Sequence, residues 1–197
     1  IPLRRQRQMC IRDRGEVVYT DGGVLAEFAW VLVVLPFIAA LIITFAGKSL
    51  PLKGAEIALG TIGIIFIYSL ALMYLHVTEG VANEFFINVG NIGQFDIEFG
   101  WVVDGLSIMM YFVVGLVALL VFIYATNYME GEIRYTFFFT SLTLFAGSML
   151  VLVSSPTLIQ ILIGWELVGV CSYLLIGHYW EVKDNSSAAM KAFITNK

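Results

Sequence analysis

An all-α polytopic membrane protein is the architecture to expect here: five complete transmembrane helices, the start of a sixth, and a small extracytoplasmic β-hairpin between helices two and three. Three observations carry that expectation. Charged residues make up 13% of the chain, about half the share in an average soluble domain. Four stretches contain no Asp, Glu, Lys or Arg, namely Phe28–Gly47, Ile57–Thr78, Gly105–Met129 and Tyr135–Trp165. Each of the first three matches the roughly 20 residues that cross a 30 Å hydrocarbon core. Between the second and third runs, Phe95-Asp96-Ile97-Glu98-Phe99 alternates apolar and charged residues with the period of a half-buried strand.

Taken in order, residues 1–23 read as a non-native or disordered tail, and 24–197 as the N-terminal part of one transmembrane domain. Residues 1–14 carry Arg4, Arg5, Arg7, Arg12 and Arg14 against Asp13, a net +4 that leaves −8 for the rest of the chain. A basic tail of that kind can bind anionic lipid or nucleic acid. The stretch RQRQMCIRDR, however, resembles translated sequencing-adapter text rather than native sequence. The lipid bilayer is then the expected surroundings, and no nucleic-acid partner is expected. The apolar run that follows is too long for a signal-peptide core and lacks a small-x-small cleavage pattern.

Helix one is expected over about Val24–Gly47, helix two over Glu56–Thr78 and helix three over Asp104–Met129. Asp104 is placed to cap helix three, its carboxylate at the positive end of the helix dipole. Helix four covers about Arg134–Ser154. Ser154-Ser155-Pro156 then divides the long run, because proline is tolerated in the first turn of a helix and not in its interior. Helix five runs about Pro156–Trp180. Helix six starts near Ser186, with Asp184-Asn185-Ser186 as its capping residues. In the loop before helix three, Glu84–Val89 is expected to pair with Phe95–Phe99 across Gly90-Asn91 and Gly93.

Lysine and arginine orient the bundle. Lys48, Lys53, Arg134 and Lys183 fall on one side, whereas the hairpin side carries Glu79, Glu84, Asp96 and Glu98. The positive-inside rule makes the lysine side cytoplasmic and the N-terminus extracytoplasmic. Cys10 and Cys171 suggest no disulfide framework, and no CxxC or Cys/His cluster offers a metal, haem or iron–sulfur site. His76 and His178 lie near span ends, as interfacial polar residues or as proton relays.

Glu166 is the one formal charge among the 46 residues from Tyr135 to Trp180. Ten residues into helix five, it would lie about 15 Å deep, beyond the reach of a glutamate to either surface. An ionisable group there costs roughly 2.5–3.5 kcal/mol on insertion scales and is rarely kept without a use. Ile159, Leu162, Ile163, Gly169, Val170 and Tyr173 share its helix face. Glu166 should therefore face the bundle interior, beside a cation or a hydrated cavity. Two readings follow: a protonated acid that holds helices together by hydrogen bonds, or a station on a proton or cation path. Lys191, about five residues into helix six, either snorkels to the interface or takes part in proton uptake.

The text Gly164-Trp165-Glu166-Leu167-Val168-Gly169-Val170-Cys171-Ser172-Tyr173-Leu174-Leu175-Ile176-Gly177 closely resembles a signature of the large antiporter-like subunit of respiratory complex I. That family is called subunit L in bacteria and subunit 5 in mitochondria. Val103-Asp104-Gly105-Leu106-Ser107 and Ala188-Ala189-Met190-Lys191-Ala192-Phe193 are similar to the motifs that open its third and sixth helices. The same core occurs in the large subunit of Mrp-type cation/proton antiporters. The resemblance spans about residues 24–197 and implies a first third of a full-length subunit. It implies that Glu166 partners a lysine on a later, broken helix and helps to move protons across the membrane. Lys197 corresponds to a basic family position. NADH, FMN, iron–sulfur clusters and quinone would belong to partner subunits, membrane and peripheral, with no cofactor or metal on this chain. The implied location is the cell (inner) membrane of a prokaryote. The alternatives are an Mrp-type antiporter subunit and a purely structural helix bundle. This stretch alone is expected to be inactive.

Overall fold

The computed structural model describes residues 24–92 and 95–196; the tail, Gly93 of the hairpin turn and Lys197 lie outside the described residues. Among the described residues, five helices are long and apolar enough to cross a membrane. They are α1 (Trp30–Ala46), α2 (Ala55–Glu79), α3 (Gly105–Tyr128), α4 (Tyr135–Ser154) and α5 (Leu158–Ile176), followed by α6 (Lys183–Thr195). Two antiparallel strands, β1 (Asn83–Ile92) and β2 (Phe95–Val103), stand between α2 and α3. The chain is thus a multi-pass membrane protein with a hairpin between α2 and α3. Gly90 and Asn91, expected in the turn, instead lie in the ladder opposite Ile97 and Asp96, and Glu84–Phe86 pair with Gly100–Val102 rather than with Phe95–Phe99.

The helices pack as neighbours in an order that differs from the chain. α1 lies against α4 as well as α2, α2 against α3, and α4 against α3 and α5. Tyr111, Phe122 and Phe139 fill the core with almost no exposed surface. Pro36 stands within α1, and Gly147 of α4 packs against it. A Cβ on Gly147 would come within 3.1 Å of the proline ring, so a side chain there requires the seam to give by a few tenths of an ångström.

Two boundaries differ from expectation. Helix one does not run unbroken from Val24: a single turn, Val24–Glu27, precedes α1. The Tyr68 hydroxyl donates to the Leu25 carbonyl at 2.5 Å. That carbonyl would otherwise accept from the Ala29 N–H, which instead reaches Ala26 at 3.4 Å. Helix six begins at Lys183, and its cap, Val182, offers no side-chain bond. Asp184 acts from inside the first turn, where its charge still complements the dipole. Asp104 does cap α3, accepting the Ser107 N–H at 2.7 Å.

The cation side is held by Arg134. Its guanidinium donates to the His178 carbonyl at 2.6 Å, pairs with Glu181 and lies 4.5 Å over the Trp180 ring. His178, just past the end of α5, is buried against Phe137 and Phe138. Arg134→Lys keeps the charge but loses the planar fork and most of the stacking. A loss of about 1 kcal/mol in detergent-solubilised stability is expected.

The hairpin ladder extends from Asn83↔Val103 to Ile92↔Phe95, with an irregularity between Asn88 and Gly90. It is tied to the bundle from three directions. His76 of α2 bonds the carbonyl of Val81, in the short connection that leads into β1, through Nδ1 at 2.7 Å, and the Tyr111 hydroxyl of α3 donates to Val102 of β2 at 2.9 Å. The third tie comes from α5.

Candidate functional site

Helix α5 starts where the sequence breaks. Ser155, before Pro156, is extended (φ −70°, ψ 120°), as the proline ring demands of its predecessor. Thr157 then caps the helix, its Oγ1 accepting the Gln160 N–H at 3.4 Å. Glu166 is the ninth of the 19 residues of α5, about 12 Å along its axis at 1.5 Å per residue. It is therefore at mid-helix, and it is half-buried.

Two opposite faces of α5 are occupied. Gly164 and Cys171 face α4, and Gln160, on the same side of the helix, faces β2, all buried. Gly164 meets the α4 backbone so closely that a Cβ would come within 2.9 Å of Leu152 Cα. Cys171 Sγ lies 3.7 Å from Ser148 Oγ. On the other side, Glu166, Gly169 and Tyr173 follow each other at helical spacing toward α6. Asn196 reaches Gly169 (3.3 Å from the position of a Cβ), and its carbonyl accepts the Trp165 Nε1 proton at 3.0 Å. The rings of Tyr173 and Phe193 are 5.6 Å apart. Gly169 thus admits a close neighbour, as its position beside Glu166 suggested. Ile159, Leu162, Ile163 and Val170, which share the face of Glu166, are exposed, so α6 covers that face only in part.

The structure does not bring Lys191 to this face. Phe193 of α6 meets Tyr173 of α5, and Ala189 lies against Gly177 just beyond the end of α5. Lys191, two residues from each, points to the opposite side and is exposed. Because α6 starts at Lys183, Lys191 is also deeper along the axis than a start at Ser186 implied, about 12 Å.

Gln160 is the residue that sequence reasoning passed over. It is 6% exposed, and its carboxamide closes on the peptide groups of Gly100 in β2. Oε1 accepts the Gly100 N–H at 2.9 Å, and Nε2 donates to the Gly100 carbonyl at 2.8 Å. Thr157 adds a bond to the Glu98 carbonyl at 3.1 Å. A signal was present, since a carboxamide in an apolar run must find partners.

Two family models match in chain order. Residues 90–139 match the N-terminus of chain 5 of NADH-ubiquinone oxidoreductase (complex I), and 155–197 match the transmembrane region of NADH:quinone oxidoreductase and Mrp antiporters. The chain is 38% identical to the NAD(P)H-quinone oxidoreductase chain 5 of a Synechocystis species, over 88% of its own length. It is 36% identical, over 87% of its length, to the NAD(P)H-quinone oxidoreductase subunit 5 of the Paulinella chromatophora chromatophore. This chain belongs to the antiporter-like subunit family. It spans about a quarter of the length of those relatives, 26% and 27%. The family fold is also visible in a solved archaeal respiratory complex, the membrane-bound sulfane sulfur reductase. One of its chains superposes with a TM-score of 0.69 over 84% of this chain and 33% of its own, at 13% identity. Within the antiporter-like family, α5 and α6, with Glu166 between them, fall inside the second matched region.

Proposed function

We propose that this chain is the N-terminal part of a proton-translocating membrane subunit of NADH:quinone oxidoreductase, which couples quinone reduction to proton pumping. One observation carries the reading: a carboxylate at the middle of a spanning helix, on the face where α6 packs, inside a region that matches the antiporter-like family. A carboxyl group in that setting changes its proton affinity when a charge approaches or leaves, which is what a relay station requires. Its cationic partner would be a lysine of a later helix. NADH, FMN, iron–sulfur and quinone chemistry would take place in partner subunits and reach Glu166 as an electrostatic or conformational signal. The membrane would be the inner membrane of a prokaryote, with the N-terminus outside. Lys191, on the far face of α6, would meet the cytoplasmic proton-uptake side.

The test is Glu166→Gln in the full-length subunit within the assembled complex. NADH-driven proton pumping into inverted vesicles should fall on the order of tenfold, about 1.4 kcal/mol of barrier, with assembly retained. Undiminished pumping rejects the role. An Mrp-type antiporter subunit is the second reading, favoured by the shared description of the matched transmembrane region. NADH-linked quinone reduction in the purified assembly supports the first reading, and Na⁺-dependent pH tolerance without it supports the second.

A further inference from the structure

We infer that Gln160 is a positioning residue for Glu166: through Gly100, the surface hairpin fixes the height and rotation of α5, and with them the setting of the mid-membrane carboxylate. The inference rests on the role proposed above for Glu166.

The geometry is specific. A two-stranded ribbon leaves one edge of each strand unpaired, and peptide groups beside a bilayer must find partners. At Gly100 both groups of that edge are taken by one side chain, Gln160, with Oε1 at 2.9 Å and Nε2 at 2.8 Å. Thr157, one turn earlier, takes the Glu98 carbonyl. The first turn of α5 is therefore held by three directional bonds to β2. The rest of the helix is held differently. Gly164 on Leu152 and Gly169 near Asn196 are close van der Waals approaches, and the Trp165 Nε1 bond to the Asn196 carbonyl ties α5 to the end of α6 rather than to the hairpin. Apolar contacts in lipid tolerate small slides and rotations, whereas a two-bond clamp in low dielectric does not.

Gln160 and Glu166 are six residues apart, about 9 Å along the axis and on different faces. A stiff helix carries a displacement at one to the other. The hairpin itself is fixed to α3 through the Tyr111 bond to Val102, and the connection that leads into it is held to α2 by His76. Glu166 is thereby referenced to a surface frame rather than only to its neighbours in the membrane.

The experiment uses the full-length subunit in the assembled complex, with Cys171→Ser and a cysteine pair at Gly169 and Asn196. Oxidative cross-linking yield reports α5 against α6, and pumped protons per electron are measured alongside. Gln160→Leu should lower the yield about fivefold, as loss of a directional bond implies, and reduce pumping without changing quinone reduction. Gln160→Glu is the conservative rescue: a protonated acid can both accept from and donate to the Gly100 peptide, and the ionised form cannot donate. It should match the parent in acidic medium and lose yield and pumping in alkaline medium. Parent-like cross-linking in Gln160→Leu overturns the inference. If that variant does not assemble, a Gln160→Glu yield that tracks the parent at every pH overturns it instead. Glu166→Gln run in parallel separates the two ideas. Full pumping there removes the proton role, while the cross-link still reports the clamp.

Discussion

Gly164→Ala is expected to reduce the assembled subunit severely, because the added methyl meets backbone rather than a movable side chain. Its Cβ would lie 2.9 Å from Leu152 Cα and 3.0 Å from Leu152 N. Neither atom can rotate away, so α4 and α5 must separate along the seam that also holds Ser148 against Cys171. Overpacking of this kind costs about 2 kcal/mol, on the order of thirtyfold in a folding equilibrium. Such a loss is large against the total stability of a domain. Immunoblotting of the intact complex and thermal unfolding in detergent would read the effect. Gly63→Ala is the control, since a Cβ there meets nothing within 4 Å. Equal stability of the two variants would show that the helices do not approach this closely.

Gly100→Ala carries the other large effect. A Cβ there would come 1.9 Å from the Phe85 carbonyl oxygen, a separation no real contact allows. The strands must part where Phe86 pairs with Gly100, and the Phe85–Trp101 stack at 4.4 Å goes with them. The same shift breaks the Gln160 clamp, leaving a buried carboxamide and a peptide unpaired. The combined loss is about 3 kcal/mol or more. Hydrogen exchange should show the β1 and β2 amides opening, with Gly90→Ala, whose Cβ meets nothing within 4 Å, nearly neutral. Parent-like protection in Gly100→Ala would contradict the register described here.

How far the residues alone carry a reader differs from element to element. The five spans were legible because twenty uncharged residues have no other stable setting, and Ser155-Pro156 divided the long run for a steric reason. Asp104 announced its cap, because carboxylate, spacing and helix start coincide. The start of α6 was misplaced because Asp184 suits the first turn as well as the cap. The break before α1 was not legible at all. It depends on the Tyr68 hydroxyl reaching Leu25 across 43 positions of sequence, and no local pattern encodes that.

The site divides in the same way. Composition alone put a lone acid in the middle of an apolar run, since desolvation cost depends on neighbours along the chain and on depth. That Gly169 would admit a helix followed from its size. Which helix comes, that Lys191 turns away from it, and that Gln160 closes on Gly100 were decided by packing between elements sixty residues apart or less. Hydropathy and helical period act locally and can be read in order. Hydrogen bonds between distant segments depend on three-dimensional closeness, which appears only once the helices have packed.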